Sequence, residues 1–250
     1  MMTVPWRHGS RSAAARARQR PVGVFVVAAA LPLAVALATY GLYRWHLDFL
    51  AGFCPDCIRF VDISVALARD MGERGLSAWT LRPDGQAPAG LLALPMSLLD
   101  SVALSAAVVT GTTAVLVVAS AFALSRAVGD WPATLLFPAV FAMPSAVHAV
   151  ITVHKDGLYL AGMLAVFAAL MGSVAPRAPT VARVAALAAV GVLGVGAIWI
   201  VRPYAGYLVL LASVVFAMAS VLRLLWRKNR KAADVARVFY RMTPLLAVMI

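Results

Sequence analysis

The chain has 250 residues, 63% of them hydrophobic and only 13% charged, with a mean hydropathy of +0.89. Soluble domains carry about 25% charged residues, so this composition excludes an ordinary water-soluble protein and predicts an all-α, polytopic membrane helical bundle with external juxtamembrane helices. The formal charge of +12 does not point to nucleic acid, because the basic residues collect in short tracts between apolar runs, the pattern that holds loops on the cytoplasmic side of a membrane.

Residues 1–21 form a basic tail, with Arg7, Arg11, Arg16, Arg18 and Arg20. It is compatible with the positive region of a signal peptide. The apolar run that follows is too long and has no clear cleavage site, which predicts a retained anchor and a cytoplasmic N-terminus. A membrane domain is expected over 22–225. A crossing helix needs about 20 apolar residues, and runs of that kind fall at 22–43, 101–124, 131–152, 157–174, 181–201 and 204–225. Pro32, Pro138 and Pro144 are expected to bend their spans, which membrane helices tolerate.

Between the first two spans lies the one long loop, 44–100. Phe60, Ile63, Leu67 and Met71 recur there at helical spacing, with Arg59, Asp62, Arg69 and Glu73 on the other side. The pattern predicts an amphipathic helix lying on the membrane surface and weakened at its end by Gly72 and Gly75. RPDGQAP (Arg82–Pro88) reads as a turn. The following LLALPMSLLD is expected to be a short helix broken at Pro95 rather than a full span.

Residues 226–250 form a second basic segment with a partial apolar run that reaches Ile250 before it has crossed, the pattern of a fragment, a re-entrant end or an interfacial helix. With the N-terminus inside, the basic tracts at 7–20, 177–183 and 223–241, together with Arg126, all fall on the cytoplasmic side, with only Asp130 and Asp234 as acidic company. Loop 44–100 is then external, and the chain reads as a multi-pass protein of a bacterial plasma membrane.

Two basic residues oppose this sorting. Lys155, in HKDG, begins the fourth span, and Arg202, in VRPY, closes the fifth, so both are expected at the external boundary beneath the long loop. Snorkelling, with Asp156 as a local partner, accounts for either one alone. Two cations converging on one end of a bundle suit an anionic phosphate better: Arg202 as a bidentate donor, Lys155 as a mobile point charge. His154 and Tyr204 flank them as candidate positioning groups. His148 lies six positions before His154, and a continuing helix would place the two on different faces. Without an acidic or cysteine ligand at suitable spacing, a metal site is not predicted.

Both cysteines lie in FCPDCIRF. On the external side, a local disulfide between Cys54 and Cys57 is favoured over free thiols, thiol exchange or metal binding, since neither a supporting redox domain nor further ligands are evident. Asp56 sits between them. A carboxylate at the surface above a phosphate clamp suits transfer from a phosphate leaving group, with the acid deprotonating an acceptor hydroxyl while cations stabilise the departing charge.

Asp56, Arg59, Phe60, Asp62, Ile63 and Ser64, following a first span and followed by a surface helix and repeated spans, resemble the N-terminal membrane half of polyprenyl-phosphate-sugar-dependent glycosyltransferases of the GT-C superfamily. HKDG and VRPY are similar to loop-edge motifs of bacterial surface-polysaccharide membrane enzymes. Arg59 and Asp156 are further candidate positioning groups. The resemblance implies a catalytic acid at Asp56, with Asp62 second. It also implies a polyprenyl-phosphate-linked sugar as donor, a glycan, lipid or protein acceptor, and surrounding membrane lipids. It implies no fixed cofactor, since a divalent metal serves only parts of the superfamily. The chain departs from the family pattern in having no adjacent acidic pair at Asp56, and in lacking the further spans and terminal external domain. Competing readings are a lipid-linked glycan polymerase, a transporter and a noncatalytic assembly subunit. The absence of a charge in the middle of the apolar runs counts against proton-driven transport.

Overall fold

The computed structural model describes residues 29–128, 143–174 and 180–225, all helical or in short connections. The basic tail 1–21, the third expected span up to residue 142 and the 226–250 segment lie outside the described residues. Nine helices are described: α1 over 29–45, α2 Leu47–Phe53, α3 Pro55–Arg74, α4 Ala87–Leu99, α5 Val102–Val128, α6 Pro144–Ile151, α7 Lys155–Val174, α8 Val181–Val201 and α9 Pro203–Leu225. The protein is thus an all-α, multi-span membrane bundle. Among the described residues, α5, α7 and α8 are long and apolar enough to cross a bilayer.

α7 is the central span, packed between α5 and α8. Small residues make these crossings close. Gly162 and Gly194 face one another: a Cβ on Gly162 would lie 2.6 Å from the Gly194 carbonyl oxygen, and one on Gly194 would lie 2.8 Å from that of Gly162. Lipid tails are as apolar as leucine, so tight van der Waals contact between such surfaces, rather than a hydrophobic drive, holds the helices together. α1 joins on the other flank, where Gly111 of α5 leaves room for Ala36. Inside this contact the Thr110 hydroxyl donates to Thr39 at 2.9 Å, and Thr39 donates to the Ile151 carbonyl at 2.8 Å. That last bond satisfies a carbonyl at the end of α6, where the helical ladder has run out of donors.

Residues 46–100 fold into a cap over one end of the bundle. The stripe Cys57, Phe60, Ser64, Leu67 and Met71 is the buried face of α3. It packs against α4, and Ser64 donates to the Ala89 carbonyl at 2.9 Å. The amphipathic helix therefore forms as its spacing predicts, but its apolar face is covered by protein instead of lying on lipid. Gly72 stays within the helix, and Gly75, at φ 77°, ends it. α4 also differs from expectation. It is short, but it runs unbroken through Pro95, because burial of Leu92, Ala93 and Met96 around that position outweighs one missing backbone donor. Pro144 likewise begins α6 instead of bending a helix, as its fixed φ and absent N–H favour at a first turn.

A strap over 76–86 crosses from α3 to α4 and ties the cap to the bundle. It contains the turn expected at RPDG, a single 3-10 turn Pro83–Gly85. Trp79 Nε1 donates to the Gly90 carbonyl at 2.9 Å. Arg82 Nε donates to the Ile200 carbonyl at 3.0 Å, and its Nη2 to that of Trp199. Both acceptors are in the last turn of α8, where carbonyls have no intrahelical partner and a cation complements the helix dipole.

Candidate functional site

The bundle end beneath the cap is built from two chain reversals. α6 stops at Ile151, and Thr152 caps it in an extended conformation. Residues 152–154 then turn the chain before Lys155 opens α7. Gly157 makes the reversal possible, since a Cβ there would press on the Thr113 methyl at 2.9 Å and on the Ala149 carbonyl. The second reversal is Arg202, which caps α8 immediately before Pro203 starts α9.

The outcome is a cluster of charged and aromatic groups. Arg202 Nη2 donates to Asp156 Oδ1, and its Nη1 donates to the Tyr204 hydroxyl at 3.2 Å. The guanidinium lies over the Tyr159 ring, 5.3 Å from its centroid, a favourable cation–π position. Its Nε is buried and has no hydrogen-bond partner. Burial works against the charge of Arg202, but Asp156 and Tyr204 more than offset it, so its pKa is raised. The partner of Asp156 is thus Arg202 on the neighbouring span.

Asp156 also meets His154, whose Nδ1 is 3.2 Å from Oδ2 and accepts the Asp156 backbone N–H at 3.3 Å. Burial depresses the His154 pKa; the Asp156 carboxylate opposes this, Lys155 and His148 add to it, and Asp56 opposes it. The rings of His148 and His154 are 6.2 Å apart, close together because the helix that would have separated them ends at Ile151. His154 also faces the Phe60 ring at 6.2 Å, and Phe53 sits edge-on to His148 at 4.7 Å.

The residues singled out from sequence divide between two places. Asp56, in the first turn of α3, is exposed and near enough to act electrostatically on His154. Lys155, Asp156, His154, Arg202 and Tyr204 lie at the same end. Asp62 lines a separate open depression with Asp70 and Asp84, and Arg59 is exposed on α3. Cys54 and Cys57 form a disulfide that links the cap residue of α3 to its first turn, with both cysteines buried. Among the described residues, no group of three or more His, Cys, Asp or Glu side chains is arranged to hold a metal ion.

Sequence reasoning missed Arg82, Phe53, Tyr159 and the approach of His148 to His154. Nothing local in the sequence marks Arg82, whose acceptors are 117 and 118 residues away.

No family model, curated protein or solved structure matches the chain.

Proposed function

We propose that this multi-span membrane protein transfers a sugar from a polyprenyl-phosphate donor to an acceptor hydroxyl at the capped end of the bundle, which the charge pattern of the loops assigns to the external face. The observation that carries the reading is that Asp56 and Lys155 both act electrostatically on His154, whose partner Asp156 also binds Arg202, although these residues come from three distant parts of the chain. Lys155 is half-buried at the start of α7, and Arg202 keeps an unpartnered, buried Nε. Together they offer positive charge to phosphate oxygens at the membrane boundary.

In this reaction Asp56 accepts the proton of the acceptor hydroxyl as its oxygen bonds to the anomeric carbon. The bond from that carbon to the phosphate oxygen breaks, and its electron pair leaves with the polyprenyl phosphate. Lys155 and Arg202 stabilise the charge that appears on the leaving oxygen, a contribution greatest in a site shielded from water. Asp156, Tyr204 and Tyr159 hold Arg202 in place, and His154 orders the Asp156 backbone.

The test is turnover and binding of a polyprenyl-phosphate sugar by purified protein. Asp56→Asn should bind the donor normally and lose transfer by about 100-fold or more, the scale of a lost general base. Lys155→Ala and Arg202→Ala should weaken binding and turnover together. Unchanged binding in both cation variants would return those residues to the snorkelling explanation. Donor binding without transfer by the wild type would favour a noncatalytic assembly role, and movement of the intact lipid across the bilayer would favour a transporter.

A further inference from the structure

The apolar face of α3 is buried in protein, yet the cap does present a helix that matches the membrane interface. In α2, only Leu50 is buried; Leu47, Phe49 and Phe53 are exposed. Trp45, at the end of α1, is 70% exposed and Phe49 is 62% exposed. Trp45, Phe49 and Phe53 are spaced four residues apart, and the Phe49 and Phe53 rings stack at 5.6 Å. Soluble surfaces rarely leave contiguous aromatic groups of this size in water.

The stripe follows exposed apolar residues of α1. Leu33 and Leu37 are also exposed and stand at the same four-residue interval. Only His46, non-helical at φ −132° and ψ 38°, separates α1 from α2; its N–H closes α1 on the Leu42 C=O at 3.0 Å, and its C=O opens α2 by accepting from the Leu50 N–H at 2.9 Å. The exposed apolar residues therefore run from α1 into α2 with one residue between the two helices. Its composition changes on the way, from leucines to tryptophan and phenylalanines beside exposed Arg44, His46 and Asp48. Aromatic groups next to polar ones are the makeup of the headgroup layer, where an aromatic body meets the acyl boundary and charged groups stay wet.

We infer that α2 lies in the headgroup region of the bilayer and inserts Trp45, Phe49 and Phe53 at the acyl boundary, so that the cap rests on lipid through α2 and not through α3. Phe53 is edge-on to His148, so the seating of α2 sets the depth of the His148–His154–Lys155 end at the level of lipid phosphates. The assignment rests on exposure and continuity alone and holds whatever reaction the protein performs. A second copy of the chain is the less suited occupant, because the patch is a narrow stripe that follows the exposed apolar residues of α1.

A nitroxide on Phe49→Cys tests this in the full chain, reconstituted in phosphatidylcholine–phosphatidylglycerol vesicles, since the disulfide keeps Cys54 and Cys57 unreactive to the label. Burial at the acyl boundary should make collisions with oxygen frequent. Collisions with a water-soluble nickel chelate should be ~3-fold or more below those of a label on Glu73→Cys, an exposed position of α3. In parallel, Trp45→Phe should remove a measurable share of the fluorescence quenching produced by lipids brominated near the headgroup. Frequent nickel collisions at position 49 would put α2 in water and overturn the inference. Low collision rates with both reagents would mean that protein covers the stripe, and would overturn it as well.

Discussion

Arg202 and Asp156 join the ends of two neighbouring spans, 46 positions apart in sequence. Asp156 opens α7 and Arg202 closes α8, so one ion pair fixes the spacing of two helices at the end where the cap sits. The same carboxylate orients His154, which makes Asp156 the centre of the cluster.

Asp156→Asn should therefore separate structure from binding. Both partners of the pair are partly exposed, so solvent screening limits the loss of stability to about 1 kcal/mol or less. On the proposed reading, removal of the competing anion should free Arg202 for a phosphate and tighten the binding of polyprenyl phosphate. Titration of the lipid against the purified variant checks this, and weaker binding would show that Asp156 positions Arg202 more than it competes for it.

His154 should make the protein sensitive to acid. Burial holds its pKa below the unfolded value, despite the opposing carboxylates Asp156 and Asp56 and with Lys155 and His148 assisting. The unfolded chain therefore binds a proton first. The stabilising contribution is fully present above the unfolded value of about 6.5 and is lost as pH falls through the folded value. Thermal unfolding in detergent between pH 7.5 and 5 should show a smaller acid-side loss for His154→Gln than for the wild type. Parallel curves would assign the acid sensitivity to other groups.

The disulfide should act on the cap alone. Closing a loop of a few residues contributes about 2 kcal/mol in the chain-entropy account. Cys54→Ser with Cys57→Ser should raise hydrogen exchange in the first turns of α3 and leave α7 and α8 protected. On the proposed reading, activity falls without a change in donor preference. Unchanged exchange in α3 would remove the structural role of the bond.

Arg82→Met keeps most of the side-chain volume but removes the donors to Trp199 and Ile200. Loss of charged hydrogen bonds of this type costs about 1.5–3 kcal/mol. The expected result is a lower Tm and faster proteolysis within 76–86, with Arg82→Lys restoring part of the protection. Equal proteolysis of wild type and variant would show that Trp79 alone holds the strap.

The solvent of this protein was legible in its composition, because a bilayer demands long apolar runs and those runs can be counted. Periodicity likewise predicted α3 with its buried Phe60, Leu67 and Met71, since helical spacing is a property of the chain itself. What covers that face was not legible: an apolar stripe is the same pattern whether lipid or α4 lies against it, and only the packing of Ser64 on Ala89 and of the strap on Gly90 decided between them. The exposed aromatic residues of α2 show the converse, for their exposure appears only once the neighbours that might have buried them are in place. Lys155 and Arg202 stood out because they break the sorting of charge, a one-dimensional signal. The commitment of Asp156 to Arg202, the approach of His148 to His154 and the grip of Arg82 on α8 depend on distances between residues far apart in sequence. Those distances follow from where each helix stops and how closely glycine lets its neighbours approach, and these are settled by the packing of the whole bundle.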